Sequence, residues 1–103
     1  MVITLCGSTR FRAQFEEMNK KLTLEGHVVL SVGVFGHFGD KITEGEKRML
    51  DEIHKRKIDM SDAIYVLNVG GYIGESTRSE IEYARKHHKK IMYMEGRHAI
   101  SRR

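Results

Sequence analysis

Two stretches of this 103-residue chain carry the same polar tripeptide where a glycine turn meets a helix-forming run, CGSTRF at 6–11 and GESTRSEIEYA at 74–84. A repeated tripeptide means little by itself; position decides whether it can act. Backbone N–H groups at a helix start gather anions, and serine and threonine hydroxyls add donors. Gly7, Ser8, Thr9 and Arg10 in one copy, with Gly74, Ser76, Thr77 and Arg78 in the other, therefore read as residues for holding a phosphate or carboxylate. Arg10 and Arg78 can grip such a group in bidentate fashion. Gly7, Gly70, Gly71 and Gly74 let a ligand approach the backbone. The phosphate-loop and dinucleotide-binding glycine patterns are both absent. Glu80 lies just beyond the second copy, in what reads as the first turn of its helix. A carboxylate there can attack or stabilise a sugar carbon. Thr77-Arg-Ser-Glu80 is equally a capping box, and spacing alone favours the cap.

The elements that must carry these residues follow from hydrophobic period and glycine punctuation. A strand over Val2–Cys6 ends at Gly7, and Ser8 or Thr9 caps a helix whose Phe11, Phe15, Met18 and Leu22 share one face. Gly26 stops that helix, and a second strand is expected over 27–32. A glycine-rich segment, 33–46, has the composition of a lid or of a long surface loop, with Phe35, His37 and Phe38 available for stacking. Thr43 and Glu46 form a capping box opening a second helix to about Asp59, with Met49, Leu50 and Ile53 inward. A third strand is expected over 63–69, a third helix over about 77–89 and a fourth strand over 91–94. Alternating strands and helices imply right-handed crossovers, hence an α/β, three-layer Rossmann-like (flavodoxin-like) domain with a parallel sheet of four to five strands, spanning 1–103. In such sheets the first and third strands are neighbours and their carboxyl ends flank the ligand crevice. Both tripeptides sit at those two ends.

Composition narrows the class. Hydrophobic content of 40% and charged content of 31% fit one ordinary globular domain. No apolar run approaches membrane-spanning length, and MVITLCGS reads as a strand rather than a leader. A single cysteine, Cys6, fits a cytoplasmic location and reads as a small buried hydrophobe. Residues 1–84 carry 11 Lys+Arg against 13 Asp+Glu, whereas 85–103 carry 7 against 1. That basic strip, without interleaved aromatics, fits a solvated helix end and tail better than a nucleic-acid surface. The six histidines show no metal-ligand spacing with an acid or cysteine, so no metal and no cofactor are expected.

ITLCGSTRF, SDAIYVLN and GESTRSEIEYARKHHKKIMYM together resemble the nucleoside 2-deoxyribosyltransferase superfamily, from residue 2 to about 95. The arrangement is most similar to the branch that hydrolyses 2′-deoxynucleoside 5′-monophosphates. The resemblance implies that Glu80 is the nucleophile, that Ser76 and the 74–78 turn hold phosphate, and that Gly7–Arg10 hold sugar and phosphate. It also implies a second acid eight residues before Asp62, where this chain has His54. His54 then either carries a proton, binds a phosphate or a ribose hydroxyl, or sits silent on the helix face; Asp51 is the alternative carboxylate. Asp59 and Asp62 read as a helix end and a strand start. Glu82, where the family often has glycine, either crowds the sheet or alters a dimer contact. The resemblance further implies a homodimer or larger homo-oligomer, with Arg97, Ser101 or Arg102 reaching a neighbouring subunit.

The function expected is hydrolysis of the N-glycosidic bond of a (deoxy)nucleoside 5′-monophosphate by Glu80 and His54. A non-catalytic module for a nucleotide or ADP-ribose-like ligand is the alternative from another class. A base-exchanging deoxyribosyltransferase, a phosphoribohydrolase of the lonely-guy type, partly suggested by GGYIG, and a small nucleic-acid-binding protein stand behind these.

Overall fold

The computed structural model describes residues 1–34 and 41–96. Strand β1 (Val2–Cys6) leads through a short 3-10 turn (Thr9–Phe11) into helix α1 (Arg12–Leu24) and strand β2 (Val28–Leu30). Helix α2 (Glu44–Asp59), strand β3 (Ala63–Val66), helix α3 (Glu75–Lys86) and strand β4 (Lys90–Tyr93) complete the chain. All four strands are parallel, in the order β2-β1-β3-β4. The expected parallel α/β sheet is present, and β1 and β3 are neighbours.

Alternation along the strands builds the layers, because successive side chains point to opposite faces. Ile3 and Leu5 of β1, with Ala63 and Leu67, pack against Phe15, Met18 and Leu22 of α1. Cys6, Ile64 and Val66 face the other way, onto Ile58 of α2 and Ile81 and Ala84 of α3. The result is α1 on one face and α2 with α3 on the other. Thr4, on the α2 face, bonds Ser61 Oγ and the Lys57 carbonyl, so this buried hydroxyl ties β1 to the end of α2.

Several boundaries differ from the sequence reading for local reasons. The Ser8 hydroxyl accepts from the Arg10 amide and caps the 3-10 turn, and α1 proper begins at Arg12. Gly26 has φ 96°, a left-handed conformation that ends α1 without Cβ strain. β2 is shorter than expected, pairing with β1 only from Val28 to Leu30. The Thr43–Glu46 capping box is present, with both reciprocal bonds made. In α2, however, the buried residues are His54 and Ile58, while Met49 is exposed. α3 starts earlier than expected, with Gly74 at its N-cap, and ends at Lys86 before His88 turns to φ 61°. Asp59 ends α2 and accepts from Tyr83; Asp62 precedes β3 and accepts from the Val2 amide. Glu82 is exposed, so it does not crowd the sheet. No helix among the described residues is long and apolar enough to cross a membrane.

Candidate active site

The carboxyl end of β1, the start of α3 and one face of α2 enclose a cavity of about 460 Å³. From β1 and its turn come Gly7, Ser8, Thr9 and Arg10; from α3 come Gly74, Ser76, Thr77 and Glu80. The α2 wall is a helical stripe of Lys47, Leu50, Asp51, His54 and Lys57. The two tripeptides thus meet at one opening, with one exception: Arg78 is exposed and is not among the residues lining the cavity.

The floor is polar and buried. Cys6, His54 and Glu80 each offer an atom within 4.8 Å of the others. His54 Nε2 lies 3.7 Å from Cys6 Sγ, 4.0 Å from Glu80 Oε1 and 3.0 Å from the Leu5 carbonyl oxygen. Since β2 pairs with β1 only as far as Thr4, Leu5 lies past its reach, and the imidazole takes the Leu5 carbonyl. A carbonyl only accepts, so Nε2 carries the proton and the tautomer is set. The three side chains are close enough to share an ion, but the Nε2 proton holds the ligand atom that faces Cys6 and Glu80.

Burial governs the charges. Burial pushes the Glu80 carboxyl up to about 7, with Asp51 adding to the rise while the Cys6 thiol, Lys55 and Lys47 oppose it. The His54 imidazole is pushed down to about 4, by burial first and by the Lys57 charge second, against the Leu5 carbonyl and Asp51. At neutral pH His54 is therefore uncharged, and its 4.0 Å approach to Glu80 is not an ion pair. The Cys6 thiol is raised by burial first and by the nearby Glu80 carboxylate second, and it donates to the Thr4 carbonyl at 4.0 Å. It is wholly buried as expected, with His54 Nε2 at 3.7 Å and Glu80 close by.

Glu80 does not act as a helix cap. Gly74 is the N-cap of α3, which places Thr77 inside the helix and Glu80 in its second turn, against the floor. No side chain caps α3, so its first amides open at the cavity rim. Thr77 is 3% exposed, its hydroxyl makes no hydrogen bond to a described residue, and among the described residues no side-chain polar atom is sealed away unpaired. The Thr77 hydroxyl accordingly faces the cavity that the residue lines.

The glycines divide by role. A Cβ on Gly7 would lie 3.1 Å from Leu67 Cβ and 3.3 Å from its carbonyl oxygen, so its smallness lets the ends of β1 and β3 close together at the cavity. Gly74 likewise makes room for the Tyr72 hydroxyl. Gly70 and Gly71 form a turn away from the cavity lining.

Sequence reasoning passed over Lys47, Lys57 and Tyr72. Tyr72 lines the cavity, carries Arg10 over its ring at 4.6 Å and meets Phe11 edge-on at 6.0 Å. The helical spacing of Lys47, Asp51, His54 and Ile58 was the available signal for the α2 wall, and the aromatic residue within GGYIG was the signal for Tyr72. Phe35, His37 and Phe38, and Arg97, Ser101 and Arg102, lie outside the described residues.

Residues 4–93 match the model of one family, described as a domain of unknown function (DUF4406). No curated protein and no solved structure matches the chain.

Proposed function

We propose that this chain, which belongs to the DUF4406 family, hydrolyses the N-glycosidic bond of a nucleoside 5′-monophosphate, with Glu80 as nucleophile. One observation carries the reading: a carboxyl held up to about 7 by burial lies on the floor of a 460 Å³ cavity whose rim is an uncapped helix start. Perturbed titration in a cleft is what a reactive carboxyl needs, and an uncapped helix start suits a phosphate. The α3 amides and the Ser76 and Thr77 hydroxyls receive the 5′-phosphate, with Arg10, Lys47 and Lys57 supplying positive charge at the wall. Tyr72 offers a face for the base.

In the reaction, the Glu80 carboxylate adds to the anomeric carbon as the C–N bond breaks, and the electron pair leaves on the base nitrogen. One water supplies, over two steps, the proton the base takes and the hydroxyl that displaces Glu80 from the carbon. Asp51 is a further carboxylate at the cavity wall, beside Glu44 and Glu75.

One observation favours a non-catalytic module holding the same ligand. The His54 proton is committed to the Leu5 carbonyl, so His54 donates nothing to a leaving base. Chromatography of free base, after incubation with ribo- and deoxyribonucleoside monophosphates, separates the two readings. Base release that disappears in Glu80→Ala supports cleavage; thermal stabilisation by nucleotides without release supports the module.

A further inference from the structure

The imidazole of His54 has a donor side and an acceptor side, and the fold uses only the first. Nε2 donates to the Leu5 carbonyl oxygen at 3.0 Å, which leaves Nδ1 as an unprotonated lone pair. Nδ1 makes no hydrogen bond to a described residue, yet among the described residues no buried side-chain nitrogen or oxygen is left sealed and unpaired. The lone pair therefore opens onto the cavity that His54 lines. Glu80 Oε1 lies 4.0 Å from Nε2 of the same ring, and Glu80 and His54 line one cavity, so a single ligand there can meet both side chains. A sugar whose anomeric carbon meets Glu80 has its neighbouring carbon in the cavity that His54 also lines.

We propose that His54 Nδ1 accepts a hydrogen bond from the 2′-hydroxyl of the sugar, so that the substrates are ribonucleoside rather than 2′-deoxyribonucleoside 5′-monophosphates. This rests on the reading of Glu80 given above. A lone pair repels phosphate and carboxylate oxygens and matches a hydroxyl donor. A 2′-deoxy sugar fills the same space with hydrogens on carbon, strips water from Nδ1 and returns no partner, and a polar atom so stranded is penalised. The expected preference for the ribo form is on the order of 10- to 100-fold.

The test compares AMP with dAMP and CMP with dCMP. Affinities are measured by calorimetry on Glu80→Gln, which does not turn over, and kcat/KM for base release is measured on the native chain. The ribo form of each pair binds tighter, and His54→Phe, which keeps a ring without a lone pair, brings the ratio close to one. Equal or better binding of the deoxy form overturns the proposal, as does a ribo preference that survives His54→Phe. If that variant does not fold, the ratio in the native chain still decides. Ribo-selective binding without base release would remove the cleavage reading and keep the His54 contact. Base release from deoxy substrates alone would do the reverse. Binding of neither form overturns both.

Discussion

Glu80 and His54 pull the stability of the protein in opposite directions as pH changes, and Glu80→Gln separates them. Glu80 has its carboxyl raised from 4.5 to about 7, so between those pH values the folded state holds a proton that the unfolded chain has lost. Stability from this group is complete below pH 4.5 and falls as pH rises to 7. His54 is lowered from 6.5 to about 4, so between those values the unfolded chain holds the extra proton and stability rises with pH. At about 1.4 kcal/mol per unit, each window is worth roughly 3 kcal/mol. From pH 4.5 to 6.5 the two slopes nearly cancel. Urea denaturation followed by circular dichroism, at constant ionic strength from pH 4 to 8, yields the difference between Glu80→Gln and the native chain. Groups common to both cancel in that difference. It moves in favour of the variant by roughly 3 kcal/mol between pH 4.5 and 7. A flat difference across that window would refute the reasoning, because Glu80 would then titrate as it does in water.

The same carboxyl sets the rate if it attacks: kcat/KM for base release climbs as pH rises through about 7, since only the ionised form is a nucleophile, and a profile flat from pH 5 to 9 removes Glu80 from that role. Gly7→Ala forces a methyl against Leu67 at 3.1 Å and lowers stability by about 1–3 kcal/mol, read from the urea midpoint. Thr77→Val keeps the fold and weakens binding of a nucleoside monophosphate by about 5- to 10-fold without weakening the parent nucleoside, measured by calorimetry. Thr43→Ala breaks the capping box of α2 and costs about 1 kcal/mol in thermal denaturation.

What could be read from the sequence was what neighbours in the chain decide. The β1 boundaries, the Thr43–Glu46 box and the α1 face of Phe15, Met18 and Leu22 each follow from residues within a few positions of one another. The adjacency of β1 and β3 followed from the reversal of strand order usual in sheets of this kind. The misreadings have tertiary causes. Thr77-Arg-Ser-Glu80 has the spacing of a box, but Gly74, packed against Tyr72, starts the helix three residues sooner and turns Glu80 inward. The apolar pattern of α2 nominated Met49, yet the side chain that goes down is His54. Its partner, the Leu5 carbonyl, lies past the end of a strand whose shortness no local pattern announces. Tyr72 was missed because its neighbours, Arg10 and Phe11, are distant in sequence.

The thin anchoring of α2 sets a clock for the molecule. Its only buried residues are His54 and Ile58, and residues 44–49 are exposed. The first turns of this helix can unwind and rewind while β1 and β3 stay intact, because they give up no core contact in doing so. Lys47, Leu50 and Asp51 leave the cavity wall in each such excursion. Amide hydrogens there exchange with solvent faster than those of the central strands, and an occupant that holds the wall slows them. For the ligand proposed above, entry and escape would follow the fraying of a helix, with no hinge between rigid bodies required.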